Sequence, residues 1–208
     1  MGLSPASVGN EDHTRLQESL PGWKMPAVRN YAVYGTLLIL GAGISTPFFP
    51  VYFISRLQGS PETAAFMIAT ANAITMLAQG LWGRVIDRKG LAPVAHGSLL
   101  VIALSPLLWL FAQQPVHAAP IWLAMGIAWA AANLANFNLV LGISNEQNRA
   151  AVVAWVSVYQ APADFAAPLI GGFLADRIDL PALFIISVLI RLAAWGSFAS
   201  RLANGDER

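Results

Sequence analysis

Six stretches of this chain are too long and too apolar to form anything but helices in an oily solvent. Residues 31–54, 64–83, 91–112, 118–144, 150–174 and 181–200 qualify. A helix rising 1.5 Å per residue needs about 20 mostly apolar residues to cross a ~30 Å hydrocarbon core. Lipid offers no partner for an unpaired backbone group, so such segments must close their hydrogen bonds internally, as helices do. The joints between them are short and polar: SRLQGSPET, RVIDRKG, QQPVH, NEQNR and ADRID. Composition agrees, with 56% hydrophobic and 11% charged residues where soluble domains carry about 25% charged. The expected fold class is an all-α integral membrane bundle of six helices over 31–201. A polar segment, 1–30, precedes it and a short tail, 202–208, follows.

Charge sets the orientation. With the N-terminus in the cytoplasm, Arg15, Lys24, Arg29, Arg84, Arg88, Lys89, Arg149, Arg201 and Arg208 lie inside, and Arg56 and Arg177 outside. That bias predicts both termini inside a cell (inner or plasma) membrane. Residues 1–30 lack the basic-then-apolar pattern and cleavage site of a signal peptide, so the first apolar stretch is expected to direct insertion. A net charge of +1 argues against a nucleic-acid partner. The absence of cysteine excludes disulfides, thiolate metal sites and a cysteine nucleophile. His13, His96 and His117 lie at no metal-ligand spacing, and no cofactor or metal is expected. The chain holds no H-E-x-x-H, G-x-S-x-G or phosphate-binding glycine loop, so an enzyme is not expected.

Two of the stretches are interrupted. The first carries Gly41, Gly43, Pro47 and Pro50, the fifth Pro162, Pro168, Gly171 and Gly172; proline removes a helix hydrogen bond and favours a kink. There is also an internal echo. The second stretch ends in Gly83-Arg-Val-Ile-Asp87-Arg88, the fifth in Gly172-Phe-Leu-Ala-Asp176-Arg177. Both read G-x-x-x-D-R, on the middle helix of each group of three, with opposite polarity. That is the pattern of a 3+3 inverted repeat.

At this point the sequence resembles the major facilitator superfamily. Gly83, Asp87, Arg88 and Gly90 match that family's loop signature G-x-x-x-D-R-x-G-R-R, with Leu91 and Ala92 in place of the basic pair. Ala167-Pro168-Leu169-Ile170-Gly171-Gly172 is similar to its G-P-x-x-G-G signature, with Ala167 for the first glycine. TPFFPVYFI and FIISVLIRLAAW look like its seventh and twelfth helices. The resemblance covers residues 30–201 and implies one six-helix half of a twelve-helix permease. The weakened loop signature favours the second half, with 1–30 as the connector between halves.

Several polar residues are candidates for function. Asp164 lies ~20 Å deep in the fifth stretch and Arg191 ~15 Å from the inner face in the sixth. A lone charge at that depth costs at least ~2.5–3.5 kcal/mol. The two are expected to pair across adjacent helices as a tether, to leave Asp164 as a proton or substrate-cation site, or else to face different ways and never meet. Asn72, Thr75 and Gln79 share one helical face, as do Asn133 and Asn136, while Asn138 points elsewhere. With Tyr159 and Gln160 they are candidate substrate-binding residues, or else interhelical hydrogen bonders. The resemblance implies that the first, second, fourth and fifth helices line the cavity. Gly83, Asp87, Arg88 and Gly90 are expected to form a cytoplasmic gate, with Asp87 facing the positive end of a helix dipole; the simpler reading is a basic loop that fixes orientation.

The resemblance implies secondary active transport of small solutes by alternating access, with a proton gradient as the default energy source. A half needs a second six-helix half or a second copy. The expected partners are therefore the lipid bilayer, a small-molecule substrate, protons and that second bundle. The alternative is a truncated or regulatory six-helix membrane protein that transports nothing.

Overall fold

The computed structural model describes residues 25–203, with side chains through residue 199. The expected 1–30 connector and 202–208 tail lie mostly outside the described residues. Helices account for the described chain, with no strand among these residues: α1 (Pro26–Ser45), α2 (Phe48–Ser55), α3 (Pro61–Lys89), α4 (Leu91–Leu110), α5 (Ala118–Gly142), α6 (Arg149–Ala175) and α7 (Leu180–Ala203). A 3-10 turn, Pro115–His117, precedes α5. Counting α1 and α2 as one broken span, five helices are long and apolar enough to cross a membrane. The sixth, α6, has the length at 27 residues but is less apolar, because Gln160 and Asp164 interrupt it.

The first span breaks at Thr46 and Pro47. Pro47 and Pro50 lack the N–H groups that would bond Gly43 and Thr46, and only a long Phe49 N–H to Thr46 carbonyl contact (3.4 Å) crosses the gap. The prolines of α6 leave that helix unbroken. Expected boundaries also shift at the RVIDRKG joint. It is not a loop: α3 continues to Lys89, and Gly90 alone separates it from α4. Gly90 has φ 86° and ψ 164°, a region that side-chain-bearing residues avoid at a cost of order 1–3 kcal/mol. Gly90→Ala should lower the unfolding free energy of the detergent-solubilised protein by about that much. A stability equal to wild type would show that the joint tolerates another geometry.

Packing does not follow chain order. Helix α1 lies against α6 and α7, α5 lies against α3 and α4, and α4 meets α7. The middle of the bundle is therefore α1, α4, α5 and α7, with α6 and α3 on its flanks. At one end Phe49 stacks on Trp109 at 5.2 Å, and Trp109 meets Trp122 edge-on at 4.8 Å. Phe53, Tyr52 and Phe184 complete this aromatic cluster. Further along, Leu38, Leu99 and Ile102 pack with the alanines of α5, Ala128, Ala132 and Ala135. Small residues let backbones approach where van der Waals contact is the main attraction. A Cβ on Gly126 would stand 2.7 Å from the Ala71 carbonyl oxygen, and one on Gly171 2.5 Å from that of Ile44. These glycines seat the flanking helices, α3 on α5 and α6 on α1.

Candidate functional site

Seating α6 against α1 and α3 against α5 leaves a concave face. A cavity of about 580 Å³ opens there, lined from α1 by Tyr31, Tyr34, Gly35 and Thr46, from α5 by Trp129, Asn133 and Asn136, and from α6 by Gln160, Asp164 and Pro168. A second cavity of about 370 Å³ shares Thr46, Trp129 and Asn133 and extends to Asn72 and Thr75 of α3. Their common wall makes them two lobes of one surface.

The lining is mixed in polarity. Tyr34 donates to Asn136 Oδ1 at 2.9 Å, bridging α1 and α5. The Gln160 amide lies over Gly35, in space a side chain there would take. Thr75 donates from its hydroxyl to Ala71 and Gly126 carbonyls, both at 2.9 Å, so its polar atom is largely committed to holding α3 on α5. Asp164 is exposed on the wall. Few placed polar groups in an aromatic and aliphatic wall are what a small-solute site requires.

The cavity gathers six of the candidate residues: Asp164, Gln160, Asn133, Asn136, Asn72 and Thr75. It leaves out four, of which Asn138 bonds its own backbone at the Leu134 carbonyl (2.8 Å). Tyr159 meets Trp155 with ring centroids 6.4 Å apart and lines neither lobe. Gln79 is exposed on α3 but lines neither lobe. Arg191 is fully buried elsewhere.

The expected Asp164–Arg191 pair does not form. Both sit at mid-helix, but α6 and α7 barely touch because α1 packs against each of them. Arg191 instead points into the α1–α4–α7 seam. One guanidinium nitrogen donates to the Ile102 carbonyl (2.9 Å) and Ser105 Oγ (3.2 Å). The other donates to Ser45 Oγ (2.7 Å) and Thr46 Oγ1 (3.4 Å). Ser187 adds a bond to the Gly41 carbonyl at 2.7 Å and lies 2.9 Å from Ser45 Oγ. Arg191 thus ties the broken end of α1 to α4 and α7 with neutral acceptors, and through Thr46 it touches the back of the cavity wall.

The residues expected to form a gate lie apart from the cavity. Asp87 and Arg88 are exposed on the last turn of α3. Gly83 meets nothing closer than Leu134 at 3.9 Å for an added Cβ, so packing does not require glycine there, whereas the backbone at Gly90 does. Tyr31, Tyr34 and Thr46 were not read as lining. Their signal was present in the cavity-lining role implied for the first helix, but no polar periodicity marks it.

The Major Facilitator Superfamily profile matches residues 32–203. The chain belongs to the major facilitator superfamily. No curated protein matches it significantly. Major facilitator proteins are transporters rather than enzymes, and the matched region takes in all of the cavity lining except Tyr31, and every residue expected to form the gate. In this major facilitator chain the G-x-x-x-D-R echo falls at the ends of α3 and α6, the two flanking helices. At the second copy Arg177 folds back on its own helix, donating to the Phe173 carbonyl at 3.0 Å and covering the Phe173 ring at 3.4 Å.

Proposed function

We propose that this chain is one six-helix half of a secondary active transporter for small solutes, and that the concave face between α1 and α5 is its half of the solute path. The single observation that carries this is the convergence of Asp164, Asn133, Gln160 and Asn72 on two lobes sharing one wall. The neighbour pattern supports a 3+3 inverted repeat. Exchanging the first three spans with the last three turns the α1–α6 contact into α5–α3 and α1–α7 into α5–α4, and leaves α4–α7 in place. The open side calls for a second bundle, from another half or a second copy. Phe66, Met76 and Leu77 on α3 and Phe165, Leu169 and Phe173 on α6 are all more than half exposed, apolar surface that lipid or a second bundle would cover. In this reading both termini face the cytoplasm of a cell membrane. The Gly83–Gly90 end of α3 is a gate, its Asp87 and Arg88 contacting the second bundle.

Asp164 is assigned the coupling proton. It is the carboxylate in the lining, and an exposed carboxylate in a cavity can load and release a proton as the cavity changes sides. The test is solute-dependent proton flux into vesicles holding the protein with its second bundle, across a panel of small polar and amphipathic solutes. Wild type should move protons with at least one solute. Asp164→Asn should insert at equal abundance and lose that flux. Undiminished flux in Asp164→Asn refutes the coupling role. No flux with any solute, in folded wild type, favours a regulatory membrane protein over a carrier.

A further inference from the structure

A second concavity lies away from the solute path. Helices α3 and α4 leave their one-residue joint at Gly90 and scarcely touch, while each packs on α5. The cleft between them holds about 460 Å³ and is lined by Trp82, Val85, Lys89, Val94, Gly97 and Val101 among others, with Ile127 and Ala128 on its floor. Its polar atoms are already used. Trp82 Nε1 donates to the Ile127 carbonyl at 3.0 Å and the Ser98 hydroxyl to the Ala95 carbonyl at 3.1 Å. What remains is an apolar trough with one ammonium, Lys89, at its mouth. On the α4 side it runs from Pro93 to Val101, eight residues or ~12 Å, which is within the depth of one leaflet of a ~30 Å core. Arg84 and Arg88 stand on the same terminal turns of α3, against a single acid, Asp87.

We propose that this cleft seats one acyl chain of an anionic phospholipid, with its phosphate at Lys89. The trough offers little to a polar ligand, and the Lys89 ammonium at its mouth favours an anionic headgroup over a zwitterionic one. Gly97 is the residue that keeps it open: an added Cβ there meets nothing within 4 Å, so a larger side chain projects into the trough rather than into a neighbour.

The test is native mass spectrometry of the purified protein with equal amounts of phosphatidylglycerol and phosphatidylcholine. Wild type should retain a phosphatidylglycerol adduct in preference. Lys89→Gln should weaken that adduct about fivefold, the worth of one basic residue near an anionic surface, and leave phosphatidylcholine unchanged. Gly97→Phe should displace the chain and lower both adducts, with Gly97→Val as the milder variant if the first does not fold; the thermal unfolding midpoint reports folding. A phosphatidylglycerol preference that Lys89→Gln does not reduce, or adducts that survive both Gly97 variants, overturns the site. So does equal binding of the two lipids, which marks nonspecific annular lipid, or a cleft occluded by a second protein chain.

Discussion

Arg191→Lys should destabilise the protein more than Arg191→Met does, although lysine keeps the charge. The arginine is fully buried with no carboxylate in ion-pair reach among the described residues. Its charge costs at least ~2.5–3.5 kcal/mol at that depth. Four hydrogen bonds from a charged donor, each worth roughly 1.5–3 kcal/mol, exceed that cost, which is why neutral acceptors suffice. The planar fork lets one side chain reach α4 at Ile102 and Ser105 and α1 at Ser45 and Thr46 together. Lysine ends in a compact ammonium and cannot straddle both helices. It keeps the burial cost and loses about half the bonds, so the expected loss is on the order of 4 kcal/mol. Methionine removes the charge and fills a similar volume. Ser105 already bonds the Ile102 carbonyl (2.9 Å) and Ser45 already meets Ser187, so few groups are stranded, and the loss should stay near 1 kcal/mol or below. Denaturant unfolding in detergent micelles measures both. Equal stability of the lysine variant and wild type would remove Arg191 as the hub that joins α1, α4 and α7.

That hub bears on transport through Thr46. The same residue caps α1, ends the first segment of a span broken by Pro47 and Pro50, accepts from Arg191, and lines both cavity lobes. Its backbone N–H is spent on the Ala42 carbonyl. The break between α1 and α2 therefore lies beside a residue whose side chain is anchored from behind.

The helices were legible because twenty apolar residues in a row admit one backbone solution in lipid. Their ends were less so. RVIDRKG reads as a loop because it is charged, yet lysine and arginine stems can extend a helix past the hydrocarbon, and the chain turns only where Gly90 supplies a positive φ. Position along the helix was legible for Asp164 and Arg191, which both sit near the middle of their helices. Facing was not. Chain order places α6 beside α7, and nothing in the residues between them says that α1 comes between. For the same reason Tyr159 and Gln160 were joined as one pair, although only Gln160 lines the cavity. Asn133 and Asn72 were read as candidates because each shares a helical face with other polar residues, on helices that the resemblance puts around the cavity. Tyr31 and Tyr34 escaped because an aromatic residue fits lipid, core and cavity equally well.

Asn133→Leu should reduce solute transport tenfold or more while leaving stability within about 0.5 kcal/mol of wild type. Asn133 is exposed on α5 and forms part of the wall that the two lobes share. Thr75 and Asn136 spend polar atoms on neighbouring helices, whereas the Asn133 amide bonds to no other described residue. Replacing it removes no bond from the folded protein. It removes a donor and an acceptor from any solute that passes between the lobes, and one lost polar contact that is strong only in the transport barrier amounts to about tenfold at 1.4 kcal/mol. Asn138→Leu is the matched control. Asn138 is five residues along the same helix, bonds its own backbone at the Leu134 carbonyl (2.8 Å), and lines neither lobe. Its replacement should leave transport intact. Equal losses in the two variants would mean that α5 responds to polarity as a whole helix, and the shared wall would no longer mark the solute path. A loss confined to Asn133 would place the solute between Thr46, Trp129 and Asn133, where the helix break and the two lobes meet.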